Sequence, residues 1–203
     1  MTYWPKDEKK DSLVFIHIPK TAGLSVQDWY RKRFGKFHKA MHADVKHAIV
    51  NRKIQELESF CIVRNPYDLV YSWYRYKLKM LMEERHKDPK ELEIWYQGFE
   101  PWMLRYFTKY NYSNDKTTGS INAISPSKTM LDYISINNQV KVTHCIRFEN
   151  LNEDMFKKLG GPKIGHVNKS GGTNDYRRAY TPTTRALVEK YYAKDLEYFS
   201  YSF

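Results

Sequence analysis

The chain has 203 residues, with 34 Lys or Arg against 23 Asp or Glu and a formal charge of +11. That length suits one domain with a sizeable core and is short for two, and a hydrophobic share of 41% with an aromatic share of 16% excludes disorder for the bulk of the chain. No apolar run approaches the roughly 18 residues of a membrane span, and Met1 to Lys10 carry no apolar stretch of a leader. The expectation is a cytoplasmic, single domain over residues 1–203, with residues 1–12 as a charged tail.

The first element is the continuous apolar run Leu13 to Ile18, the pattern of a central parallel strand buried on both faces. It ends at Pro19, and a polar turn from Lys20 to Ser25 leads into a helix on which Val26, Trp29, Tyr30 and Phe34 recur at helical spacing. A second helix is expected from Asp44, its cap, to Glu58. A second strand, Phe60 to Val63, runs into Arg64-Asn65-Pro66-Tyr67-Asp68, where Asp68 is the candidate cap of a long helix with Val70, Trp73, Tyr74, Leu78 and Leu81 inside.

Another helix fits Leu92 to Phe107, and Thr108 to Ser120 is polar and turn-rich. A short helix near Ser127 to Ile134, a third strand over Val140 to Ile146 and a helix over Asn150 to Leu159, stopped by Gly160-Gly161-Pro162, come next. After a polar stretch from Asn168 to Tyr180, a last helix starts near Pro182 and buries Leu187, Val188, Tyr191, Tyr192 and Leu196. Strands alternating with helices predict a three-layer α/β fold with a central, mainly parallel sheet flanked by helices. Its ligands are expected beyond the carboxyl ends of the strands. Cys61 and Cys145, each in an apolar segment, read as buried reduced thiols, with no metal-ligand spacing.

The basic balance points to an anionic partner without naming it. Two loops narrow the choice. Lys20, Thr21, Gly23 and Ser25 lie between an apolar strand and a helix, offering amides, two hydroxyls and a cation to an anion. The G-x-x-x-x-G-K-[ST] spacing of nucleoside triphosphatases is absent. In the second loop Arg64 stands at a strand end and Ser72 follows eight positions later on a helix. Arginine suits bidentate phosphate contact, and its alternative here is a salt bridge with Asp68 or Glu149.

The segment Phe15 to Ser25, reading Phe-Ile-His-Ile-Pro-Lys-Thr-Ala-Gly-Leu-Ser, resembles the 5′-phosphosulfate loop of sulfotransferases that use 3′-phosphoadenosine 5′-phosphosulfate (PAPS). Val63 to Ser72 resembles their 3′-phosphate motif, and Ile146 to Leu151 and His166 to Ser170 agree. The likeness covers roughly residues 13–203 and is nearest to the carbohydrate branch, the heparan and chondroitin O-sulfotransferases, in a soluble bacterial or viral form. Leu24 departs from the family, which usually has Thr or Gly there.

The resemblance implies a P-loop-like fold and a donor site made of Lys20, Thr21, Ala22, Gly23, Leu24 and Ser25 with Arg64 and Ser72. It adds Lys169 and Ser170 from a candidate lid that also carries Arg177 and Arg178. Met41-His42-Ala43-Asp44 is similar to the segment of heparan 6-O-sulfotransferases whose histidine takes the acceptor proton, so His42 is the expected base, assisted by Lys20. His47 and Glu149 are the substitutes, His17 a structural residue, and Trp95 or Trp102 candidates to line an acceptor cleft. The implied reaction is direct sulfuryl transfer from PAPS to a hydroxyl, on a glycan by expectation, without metal, membrane or nucleic acid. The rival is a non-catalytic domain that binds nucleic acid or another polyanion, resting on the +11 charge and 17 tyrosines.

Overall fold

The computed structural model describes residues 2–5, 13–40, 44–52, 58–82, 93, 96–109, 128–161, 163–165 and 175–203. Strand β1 (Thr2–Pro5) lies within the stretch expected to be a tail. Thr-Tyr-Trp favours extended backbone, and Tyr3, fully buried, stacks on Phe15 with ring centroids 5.6 Å apart. β1 runs antiparallel to β2 (Leu13–Ile16) on one side and to β3 (Phe37–Ala40), an unexpected strand, on the other. Tyr3 pairs with Phe15 in β2 and with Lys39 in β3.

Between β2 and β3 lies helix α1 (Gly23–Phe34), which buries Val26, Trp29 and Tyr30. The Tyr30 hydroxyl donates to the Leu13 carbonyl, fixing α1 to the strand that feeds it. Helix α2 (Val45–Arg52) is capped as expected by Asp44, whose Oδ1 accepts from the His47 amide at 2.9 Å. The expected continuation to Glu58 fails, because Glu58 opens strand β4 (Glu58–Val63).

The long helix expected after β4 is α3 (Pro66–Met82). Its N-terminal amide at Tyr67 is satisfied by Asn65 Oδ1 at 3.1 Å, so Asn65, not Asp68, is the capping side chain. Pro66 in the first helical position places the cap one residue earlier and leaves Asp68 in the first turn, where its charge complements the helix dipole. The expected helix from Leu92 to Phe107 is interrupted: Gly98 has φ 107, and helix α4 (Phe99–Lys109) starts after it.

Helix α5 (Met130–Ile134) carries a capping box between Thr129 and Asp132. The expected strand from Val140 to Ile146 is two pieces. Strands β5 (Ser135–Ile136) and β6 (Gln139–Val140) form a hairpin whose turn residues Asn137 and Asn138 have φ 50 and 61, the paired left-handed conformation of a tight hairpin turn. Strand β7 (His144–Arg147) then enters the main sheet, and helix α6 (Leu151–Leu159) ends at Gly160, φ 64. The last helix is also divided, into α7 (Pro182–Tyr191) and α8 (Ala193–Tyr198).

The main sheet has the order β3-β1-β2-β4-β7, with β2, β4 and β7 mutually parallel. It is a central, mostly parallel sheet flanked by helices, as the apolar runs imply. On one face Phe15, Phe60, Ile62 and Ile146 meet Val26, Trp29 and Tyr30 of α1 and Leu151 and Met155 of α6. Val14, Ile16, Cys61 and Val63 alternate with them and are equally buried. Each large side chain fully buried there contributes about 1.5–3 kcal/mol.

Two units divide the chain: residues up to Arg64 with those from Lys128 to Lys169, and residues from Asn65 to Gly119 with those from Ser170 onward. In the second, the Tyr180 hydroxyl donates to the Tyr67 carbonyl at 2.8 Å, and the Thr181 hydroxyl to Glu100 Oε1 at 2.6 Å. Rings of Tyr67, Tyr180 and Phe203 meet edge to face, 5.0–5.6 Å apart. Among the described residues no helix is long and apolar enough to cross a membrane.

Candidate functional site

Because β2, β4 and β7 are parallel, the chain leaves Ile16, Val63 and Arg147 at one edge of the sheet. β3 runs in the same direction, being antiparallel to β1, so Ala40 also lies at that edge, level with Ile16 through the shared partner β1. Here open α/β sheets present their ligand-binding loops.

The loop after β2 is built tightly. Lys20 and Ala22 both have φ 64, a left-handed backbone that costs non-glycine residues about 1 kcal/mol or more and persists at functional turns. Thr21, fully buried between them, donates its hydroxyl to the Ile18 carbonyl at 2.6 Å. That hydroxyl therefore holds the loop closed. Ala22 is the cap position of α1 and gives no side-chain cap, and the first turn holds no acidic residue, while Arg31, Lys32 and Arg33 occupy the last turn. No side chain of the cap or first turn therefore sets a carboxylate against the positive end of the helix.

Gly23 is there for space. A Cβ at this position would lie 2.1 Å from Nε2 of His17, whose ring is buried beside Phe15. His17 is therefore a packing residue under the loop, in keeping with its expected structural role. Leu24 is exposed, and Ser25 is buried in the first turn of α1.

Arg64 joins the second strand end to this loop. Its Nη1 donates to the Lys20 carbonyl at 2.9 Å, its guanidinium lies over the Phe148 ring at 4.1 Å, and its own amide points at Met130 Sδ at 3.4 Å. The guanidinium is thus fixed by a backbone carbonyl on one side and a ring on the other, which orients its planar fork. Burial, and then the neighbouring Arg64 charge, lower the Lys20 ammonium from its usual 10.5 to about 8. Two cations brought together against Coulomb repulsion form a site that an anion of more than one charge would relieve.

Lys20, Thr21, Ala22, Gly23, Leu24, Ser25 and Arg64 thus meet in one unit. Ser72 is buried in α3 of the other unit. His42, Lys169 and Ser170 lie outside the described residues, as does Trp95. Asp44, two positions after His42, is held by Lys128 Nζ at 2.8 Å as well as by its capping bond. Burial would raise its carboxyl, but the Lys128 and His47 contacts outweigh this and keep it below the usual carboxylate range. His47 and Glu149 are exposed. Trp102 is buried against Phe99 and Tyr74, which makes it a core residue. Of the candidate lid, Arg177 and Arg178 are exposed on a 3₁₀ turn, Tyr176–Ala179, that Asp175 caps through the Arg177 amide.

The model of the Sulfotransferase family matches residues 6–202. The chain belongs to the sulfotransferase family. Searches of curated proteins and of solved structures found no match. Membership makes sulfuryl transfer to a hydroxyl-bearing acceptor the general chemistry of this sulfotransferase. Two contributors escaped the sequence reading. Phe148 carries Arg64, and its signal was its place directly after the third strand; the His17–Gly23 contact had none beyond the glycine itself.

Proposed function

We propose that this sulfotransferase takes its sulfuryl group from PAPS and passes it to a carbohydrate hydroxyl, on a P-loop-like fold in one cytoplasmic domain. The observation that carries the reading is the junction of Lys20 with Arg64 at the carboxyl ends of β2 and β4. Its cations, the helix N-terminus beside them and the left-handed loop suit a ligand with separated phosphate groups.

In this reading Lys20 and the amides from Thr21 to Ser25 neutralise the charge of the 5′-phosphosulfate, Leu24 contributing backbone alone. Arg64 takes the 3′-phosphate, with Ser72 of the same motif as its hydroxyl donor and Lys169 and Ser170 completing the nucleotide contacts. When bound, PAPS supplies a sulfuryl group that transfers directly to the acceptor oxygen, with 3′-phosphoadenosine 5′-phosphate as the product. His42 accepts the hydroxyl proton, and Lys20 stabilises the charge that develops on the departing side. The segment that holds His42 follows β3, whose end lies at the same sheet edge as the loop. No residue role calls for a metal.

The test is transfer itself. PAPS and a panel of unsulfated and partly sulfated glycans are incubated with the chain, and products are read by mass spectrometry. Sulfation of at least one glycan, lost in His42→Ala while product nucleotide still binds, supports the reading. Equal transfer by His42→Ala removes His42 from the role of base. Absence of transfer to any carbohydrate, with transfer to phenols or steroids, overturns the acceptor class.

A further inference from the structure

Cys61 lies in β4 and Cys145 in β7, and the two are register partners on adjacent parallel strands. Their sulfurs are 3.6 Å apart, with the Cys61 thiol donating to Cys145, and both cysteines are free. Neighbouring strands are about 4.8 Å apart, which places directly paired Cα atoms inside the range of about 4.4–6.8 Å that a disulfide spans. A disulfide would bring the two sulfurs from 3.6 Å to about 2.05 Å.

Cys61 is wholly buried, whereas Cys145 is half-buried on β7, the end strand of the sheet order. Lys158 Nζ donates to the Cys145 carbonyl at 2.8 Å, bringing a cation beside that cysteine. The Cys61 hydrogen bond, against some burial, and the Lys158 charge lower the Cys145 thiol, while the same hydrogen bond and complete burial raise Cys61.

We propose that Cys61 and Cys145 are a modification site, a dithiol that closes to an intramolecular disulfide by exchange with a small-molecule disulfide such as glutathione disulfide. The Cys145 thiolate attacks one glutathione sulfur, the glutathione S–S bond breaks, and the first glutathione leaves as thiolate. The Cys61 sulfur, losing its proton, then attacks Cys145 Sγ and expels the second glutathione. The dithiol is oxidised by two electrons, glutathione disulfide is reduced, and the two cysteine protons end on the two glutathione thiols. The bridge ties together the strands that lead into Arg64 and Phe148, whose contact orients the guanidinium.

The full-length chain is incubated natively with glutathione disulfide, quenched with an alkylating agent under denaturing conditions, and read by intact mass and non-reducing peptide mapping. The expected product has lost two hydrogens and links the peptides of Cys61 and Cys145. Cys61→Ser should stop at one glutathione on Cys145, and Cys145→Ser should react about tenfold slower or less. A product that keeps one or two glutathiones without a link overturns the proposal, as does an unreacted native chain whose unfolded form reacts. Native alkylation of the wild type with a limiting reagent tests the order of attack without a variant. Labelling at Cys145 first supports it, and labelling at Cys61 first overturns it.

Discussion

Gly23→Ala tests the packing under the anion loop. The added methyl carbon would sit 2.1 Å from His17 Nε2, 2.5 Å from Cε1 and 2.8 Å from Cδ2. Ordinary contact is about 3.5 Å, so the ring or the loop must move by more than about 1 Å. The ring has little freedom, with His17 8% exposed and tilted against Phe15 at 5.5 Å. Overpacking of this kind costs about 1–3 kcal/mol, larger than the gain of up to about 1 kcal/mol that alanine brings over glycine in a helix. Denaturant unfolding should therefore show a net loss for Gly23→Ala. The double variant His17→Ala/Gly23→Ala should recover part of it, with a coupling of about 1 kcal/mol or more. If the two substitutions add without coupling, or Gly23→Ala is as stable as wild type, the steric argument for this glycine is wrong.

Lys20, at about 8 in the folded chain against 10.5 ordinarily, makes stability depend on pH. Below about 8 both folded and unfolded chains hold the proton and the penalty of a buried charge is complete. Between about 8 and 10.5 only the unfolded chain holds it, so stability rises with pH through that window. Lys20→Met should flatten this rise, and an unaltered slope contradicts the assignment. Bound phosphate should restore the ammonium, so titrations near pH 8 in two buffers of different ionisation enthalpy should show proton uptake by wild type and none by Lys20→Met.

Arg64→Lys loses the 2.9 Å bond to the Lys20 carbonyl and the stack on Phe148, and bisphosphate affinity is expected to fall about tenfold or more although the charge remains. Affinity within twofold of wild type speaks against an oriented fork. Asp44→Ala removes both a helix cap and the Lys128 pair and should cost about 1–2 kcal/mol at pH 7, Asp44→Asn less than about 1 kcal/mol. The Asp44 carboxyl is depressed, so its contribution is present above the ordinary value of 3.8 and is lost as pH falls through the folded value. Unfolding curves of wild type and Asp44→Ala should therefore converge in strong acid, and a constant difference argues against the charge.

Sequence pattern was informative where burial is one-dimensional. Leu13 to Ile16 and Phe60 to Val63 are apolar at every position because both faces of their strands are covered, and α1 and α3 show their faces through spacing. β1 and β3 were not legible in that way. Each is four residues long, with a charged run or a basic residue beside it, and among the described residues β3 has its sheet partner only in β1, which itself leans on β2. Asn137-Asn138 was a readable turn signal, yet the apolar residues after it masked the break before β7.

At the site, the chemistry of Lys20 and Arg64 was visible as residue types at strand ends. Their contact was not, since it joins a guanidinium to a backbone carbonyl 44 positions away and depends on strand order. The same holds for Thr21. As a sequence it offers a hydroxyl to a ligand, and as a structure it spends that hydroxyl on the Ile18 carbonyl. Local pattern gives the inventory of groups, and the backbone decides which of them remain available.

The central claim is that the Lys20–Arg64 junction is the donor site, and calorimetric titration tests it most directly. Adenosine 3′,5′-bisphosphate is titrated into wild type and into Lys20→Ala/Arg64→Ala, with ATP plus magnesium as the comparison ligand and far-UV circular dichroism confirming that the variant is folded. The account predicts bisphosphate binding at least about tenfold tighter than ATP, and its loss in the folded double variant. Equal affinity of wild type and variant for the bisphosphate, or preference for ATP with magnesium, would contradict it.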